Sequence, residues 1–394
     1  MSYSSFMGKL LDGVEVEWKS LRDISEYSPT RVDASELGAI SFVGVDNLVA
    51  NKGGRVDATY LPNTDRVTAY EIGDILLGNI RPYLKKIWKA TNSGGCSGDV
   101  LAIRILSEFK QTVDSQYLYY LLSSDEFFLY NMLHAKGAKM PRGNKTAILS
   151  YEIPIPCPDN KEKSLEIQAE IVRILDAFSA MTVELIAELN MRKKQYNHYQ
   201  FEMLQFTETT QYLKIGECCD IKKGLTPIKK ATPGKHPLVA TTEERQSSLE
   251  YQFDCAAVCV PLISSRGHGV ASIDRIYFQD GKFALGNILC AIIPNDSRVL
   301  SAKFLRYYLF DKKDVLLVSL MRGGANVSLT MDSLKKVKIP IPPIADQQRI
   351  VRILDKFDEL VKGLPHEIEL HQKQYEYYRD LLLSFPRSNS DVVA

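Results

Sequence analysis

Between Ile171 and Phe206, apolar and aromatic side chains recur at steps of three and four: Ile171, Leu175, Phe178, Met181, Leu185, Leu189, Tyr196, Tyr199, Met203 and Phe206. The stripe returns as Ile350, Leu354, Phe357, Leu360, Leu364, Ile368, Tyr375, Tyr378, Leu382 and Phe385. One polar residue interrupts each copy at the same register, Arg192 in the first and His371 in the second. This period predicts two amphipathic helices. So narrow a seam suits one partner helix rather than a broad core, and duplication supplies that partner within the chain. The two are therefore expected to pair as an antiparallel coiled coil. At 1.5 Å per residue, about forty residues make a rod of roughly 60 Å. Gly363-Leu364-Pro365 is expected to kink or interrupt the second helix, with Pro365 restarting it.

The stripes belong to an internal repeat. Ile171-Val-Arg-Ile-Leu-Asp176 reappears as Ile350-Val-Arg-Ile-Leu-Asp355 at an offset of 179, which also aligns Gln168 with Gln347. Upstream, Ile153-Pro-Ile-Pro156 matches Ile339-Pro-Ile-Pro342 at an offset of 186, leaving an insertion around Cys157–Ile167. Tyr117-Leu118 and Tyr120 match Phe304-Leu305 and Tyr307, and Gly137 matches Gly323. The chain thus alternates variable and constant segments. The implied boundaries are a first variable domain at 1–157, a helical spacer at 158–208, a second variable domain at 209–343, a second spacer at 344–386 and a tail at 387–394.

Within the first variable domain, Ser41–Val45, Asp74–Leu77 and Val100–Leu106 read as strands, and Ser115–Leu133 carries helical spacing. In the second, Ala256–Ile263, Gly269–Ile273 and Ile288–Ile293 read as strands and Ser301–Leu320 as the matching helix. The fold class is α+β: two mixed domains separated by two long helices, with a pseudo-twofold repeat.

Composition narrows the chemistry. With 394 residues the chain holds enough material for two cores. Lys and Arg number 49 against 48 acidic residues, so no global basic field exists and any nucleic-acid binding must rest on local patches. Seven cysteines without a C-x-x-C pair and six histidines without matched spacing point away from a zinc site or a disulfide framework. No apolar run is long enough to span a bilayer, and the chain reads as cytoplasmic. Phosphate-loop, metalloprotease and nucleophile-elbow motifs are missing, as is the Asn/Asp-Pro-Pro-aromatic run of amino-methyltransferases, so catalysis by this chain alone is not expected.

Positive signals lie in loops. Arg81, Tyr83, Lys85 and Lys86 follow a strand end, and Lys136, Lys139, Arg142, Asn144 and Lys145 crowd a glycine-containing stretch. The second domain offers Lys222, Lys223, Thr226 and Lys229, then Ser265, Arg266 and His268, then Arg322 and Asn326. Such side chains neutralise phosphates or match donor and acceptor patterns on base edges. Their recurrence in both halves favours double-stranded DNA as ligand. The competing reading is a coiled-coil scaffold with two protein-binding domains and no DNA role.

Ile339-Pro-Ile-Pro-Pro343, then Gln347-Gln-Arg-Ile-Val-Arg-Ile-Leu-Asp-Lys-Phe357, then Lys373-Gln-Tyr375 with Tyr378, resembles the conserved-region signature of type I restriction–modification specificity subunits. Gly73-Asp-Ile-Leu76 with Ile80-Arg-Pro82, and Gly224-Leu-Thr-Pro227 with Phe283-Ala-Leu-Gly-Asn287, are similar to patterns of that family's recognition domains. Cys157-Pro-Asp-Asn-Lys-Glu-Lys163 departs from the usual tight turn before the first helix. The resemblance implies a non-catalytic subunit that reads an asymmetric bipartite DNA target and recruits two methyltransferase subunits, with endonuclease/translocase subunits in the restricting form. It implies no cofactor in this chain; S-adenosylmethionine, ATP and Mg2+ would serve the partners.

Overall fold

The computed structural model describes residues 13–228, 231–242, 246–265, 273, 275–323 and 326–387. The chain forms two compact units, residues 1–184 with 368–394, and residues 185–367.

The first unit opens with Val16–Ser20, which pairs antiparallel with Glu152–Pro156. The proline-rich exit is thus itself a strand, with Pro154 and Pro156 tolerated because it has only one neighbour. Beyond this neck lies a four-stranded antiparallel sheet in the order Ser25–Tyr27, Val100–Ile105, Ile75–Gly78, Ile87–Lys89. A second sheet is built from Arg31–Asp33, Arg66–Tyr70, Gly94–Cys96 and Phe42–Val43. The sequence expectation of one helix over Ser115–Leu133 is corrected: there are two, Ser115–Leu122 and Asp125–Leu133. Ser124 breaks the run by capping the second helix, accepting from the Phe127 N–H.

The second unit repeats the plan. Tyr212–Lys214 pairs with Lys338–Pro340, and the main sheet runs Cys219–Lys223, Leu289–Pro294, Ala257–Pro261, Tyr277–Gln279. Here too the expected helix over Ser301–Leu320 is shorter, Ala302–Asp311, followed by single turns at Lys313–Leu316 and Val318–Leu320. The expected strand Gly269–Ile273 lies, apart from Ile273, outside the described residues.

Two long helices, Lys161–Met203 and Ile344–Leu383, pack together. Tyr199 stacks on Phe357, while Met203 and Phe206 share a groove with Ile353 and Ile350, so rising numbers on one helix meet falling numbers on the other. The pairing is antiparallel. Ile171, Leu175, Leu354 and Leu382 are completely buried, which stabilises by about 2 kcal/mol per side chain. Two expectations about the seam are corrected. Met181 and Leu360 are exposed, and the next residues, Thr182 and Val361, turn inward instead. The second helix also continues through Gly363-Leu364-Pro365, so it is not interrupted and restarted there. Proline there leaves one main-chain carbonyl without its helical partner, which an exposed helix face tolerates by hydration.

Each long helix is fastened to its unit by a buried glutamine. Gln168 accepts from the Asp114 N–H at 2.9 Å and donates to the Thr112 carbonyl at 2.8 Å. Gln347 accepts from the Ser301 N–H at 2.9 Å and donates to the Val299 carbonyl at 2.9 Å. Tyrosine–aspartate bonds sit beside these, Tyr120 to Asp176 and Tyr307 to Asp355. Burial and the neighbouring carboxylates push both phenols well above the ordinary tyrosine range, so both remain protonated donors.

Candidate nucleic-acid interface

In the first unit, strand Ile75–Gly78 ends against Asn79, and the chain continues as Ile80-Arg81 before a tight turn at Pro82–Leu84. Ile80 bridges Arg142, and Arg142 in turn bridges Lys136, closing a hairpin whose tip turns at Gly137 with φ of 101°. Glycine is favoured there because a β-carbon resists that backbone conformation. The second unit builds the same object. Ile263 pairs with Ser328, and Ser328 pairs with Arg322, while Gly323, with φ of 140°, pairs with Val327 in the same ladder. Three chain segments therefore form one platform, repeated with different side chains.

Sequence-derived candidates divide on this frame. Tyr83, Lys136 and Lys139 are exposed, and the two lysines have no ion-pair partner among the described residues. Arg142 is exposed but paired with Asp99 at 3.0 Å, which raises its already high pKa. Arg81 is half-buried in a left-handed conformation, its N–H donating to the Pro141 carbonyl at 2.7 Å. Lys86 donates to the Val45 carbonyl, and Lys85 is engaged by Asp125 at 2.6 Å. Asn144 caps the helix Lys145–Leu149 by accepting from the Thr146 and Ala147 N–H groups, a structural role that occupies its oxygen. Lys145 is exposed, with its ammonium 6.0 Å from the Tyr27 ring centre.

In the second unit, Ser265 is the main-chain register partner of Asn326 in the platform's ladder. Arg322 turns its guanidinium onto the Ser319 and Met321 carbonyls. Lys222 pairs with Asp220 at 3.1 Å, and Lys223 is exposed beside it. Thr226 is fixed by its N–H donating to the Leu285 carbonyl at 3.0 Å. Lys229, Arg266 and His268 lie outside the described residues.

The platforms differ underneath. Asn79 and Asn131 are buried below the first, and an added β-carbon on Gly143 would lie 2.6 Å from Asn131 Oδ1 and 2.7 Å from Asn79 Oδ1. In the first unit the Gly143 N–H donates to the Asn79 carbonyl, and in the second the corresponding bond runs from the Leu329 N–H to the Leu262 carbonyl. The recurrence of the hairpins was visible in the Gly137–Gly323 alignment. Lys52, Asp125 and Arg379, which meet in the first unit, carry no local sequence pattern and were not anticipated.

Among the described residues no cluster of His, Cys, Asp and Glu could hold a metal ion, and no helix is long and apolar enough to cross a membrane. The model of the type I restriction modification DNA specificity domain matches this chain twice, over residues 14–192 and 207–370. The chain belongs to this family. Each match takes in one platform and much of the long helix that follows it. Among curated specificity proteins, the chain is 34% identical to a type I restriction enzyme specificity subunit of Escherichia coli, over 98% of both chains. It is 32% identical to a putative type I restriction enzyme specificity subunit of Haemophilus influenzae, covering 97% of this chain and 98% of that one. The crystal structure of a type I restriction-modification S subunit from M. genitalium shares the fold at a TM-score of 0.60 and 13% identity, covering 95% of this chain and 98% of that one.

Proposed function

We propose that this chain is the DNA-reading, non-catalytic specificity subunit of a type I restriction–modification complex, with each unit reading its own half of a bipartite target. The observation that carries this reading is the duplicated platform. One topology sets the Lys136–Arg142 hairpin beside Ile80 in the first unit and the strands Arg322–Gly323 and Asn326–Ser328 beside Ile263 in the second, and the residues on the two frames differ. Unlike side chains on like frames read unlike sequences, so the two half-sites differ. The gap between them follows from helix length, as half-site spacing follows from protein geometry in other readers. Two methyltransferase subunits, one for each repeat, would supply S-adenosylmethionine and flip the target adenine. Endonuclease/translocase subunits would use ATP and Mg2+, and the complex would work in the cytoplasm.

The test is to express the chain with its methyltransferase in a host lacking both and to map methylated adenines. A single motif with two dissimilar halves around a fixed gap is expected. A contiguous or palindromic motif would contradict the two-platform reading. A DNA-independent scaffold, in contrast, would give no methylation pattern and no salt-dependent binding to duplexes.

A further inference from the structure

Asp125, the first residue of its helix, gathers three cations from three parts of the first unit. Lys52 reaches Oδ1 at 3.0 Å, Lys85 reaches it at 2.6 Å, and Arg379 donates to Oδ2 at 3.0 Å. Arg379 belongs to the second long helix and is 2% exposed. The two lysines sit on loops that are locked together: the Asn51 N–H donates to the Leu84 carbonyl and the Lys52 N–H to the Lys85 carbonyl, each at 2.9 Å. These loops hold four of the five described non-glycine residues with positive φ, namely Asn51, Lys52, Arg81 and Lys85. Such backbone costs about 1–3 kcal/mol per residue and persists only where surroundings hold it. The Lys136–Arg142 hairpin hangs from the same segment through Ile80 and Arg81.

The geometry points to Asp125 as a positioning residue for target recognition: through Lys52 and Lys85 it ties the strained loops, and with them the basic hairpin, to Arg379 on the second long helix. The tie is particular to the first unit. At the repeat position of Arg379 the second unit has Gln200, which donates to Asp311 at 3.0 Å, and no pair of recognition-loop lysines joins it among the described residues. Losing Asp125 therefore loosens one reading surface and leaves the other intact.

This inference rests on the reading that each unit serves its own half-site, and the experiment separates the two. In the assembled methyltransferase complex, methylated adenines are mapped for wild type, Asp125→Asn, Asp125→Glu and Arg379→Gln. Both Asp125→Asn and Arg379→Gln should relax the same half of the motif by roughly tenfold, the scale of one lost base contact, while the other half keeps its stringency. Asp125→Glu should restore much of the preference. Arg379→Gln copies the residue the second unit tolerates, and Arg379 is too buried to touch DNA, so its effect cannot arise from a lost phosphate contact. A wild type lacking two distinct halves overturns the underlying reading and this inference with it. A normal wild type with variants that weaken both halves equally, or neither, overturns this inference alone.

Discussion

Phe178 lies nearly flat on Tyr378, ring centres 5.1 Å apart and planes 24° apart, and the repeat regenerates the pair as Phe357 on Tyr199 at 5.2 Å and 27°. In each pair the phenylalanine and the tyrosine come from different long helices, so the stack fixes antiparallel register twice. Phe178 is only half-buried, which sets the size of its contribution. Phe178→Ala should cost about 2 kcal/mol in chemical denaturation, with about 0.5–1.5 kcal/mol of coupling to Tyr378→Ala in a double-mutant cycle. No measurable coupling would mean the rings do not meet in solution.

The buried glutamines should be less replaceable than the seam residues around them. Gln168→Leu leaves the Asp114 N–H and Thr112 carbonyl without their partner, and Gln347→Leu does the same to Ser301 and Val299. About 1–3 kcal/mol per stranded group is expected, so each variant should lower the unfolding midpoint substantially. A neutral result would show that water reaches these groups.

Acid should act through Asp125. Partial burial alone would raise its pKa, but hydrogen bonds from Lys85 and Lys52, with the charges of Lys52 and Arg379, hold it well below the ordinary carboxylate range. A depressed folded-state pKa contributes stability above the unfolded value, and that contribution is lost as pH falls through the folded one. Wild type should therefore lose stability relative to Asp125→Asn as pH drops below about 4. The difference between the two proteins, measured by unfolding at several pH values, should be flat from neutrality down to that point. A difference that grew on the alkaline side instead would have the wrong sign for this linkage.

Gly363 offers a gain. It sits on the exposed face of the second long helix, and an added β-carbon there meets nothing within 4 Å. Gly363→Ala should stabilise by about 1 kcal/mol, read as a higher denaturation midpoint. Destabilisation would reveal a bend at that point which alanine cannot follow.

Lys136 and Lys139 test the electrostatics of the first platform. Replacing both with alanine should weaken binding to specific and scrambled duplexes alike and reduce the salt slope by about two units. Selective loss on the target duplex would move these residues from phosphate to base recognition.

What was legible in the sequence was whatever repeats. The seam, the paired glutamines and the glycine hairpins all appear when the chain is laid on itself, because identical packing problems were solved with identical residues. Single-copy features escaped. Lys85 and Asp125 stand forty residues apart with no periodic relation, and only folding brings their charges together. The inward turn of Thr182 and Val361 in place of Met181 and Leu360 also escaped, because hydrophobicity alone favoured the larger side chains. The break at Ser123-Ser124 was readable, since a serine before two acidic residues is a helix-start signal, but the apolar periodicity on either side masked it.

The glutamine fastening has a consequence for how such a protein changes over generations. Gln168 and Gln347 engage their domains through main-chain amides and carbonyls, groups that every residue type but proline supplies in full. A helix that grips backbone is indifferent to the side chains above it. Substitutions can therefore accumulate on the recognition face without loosening its seat, and lineages can acquire new preferences while the mounting stays fixed.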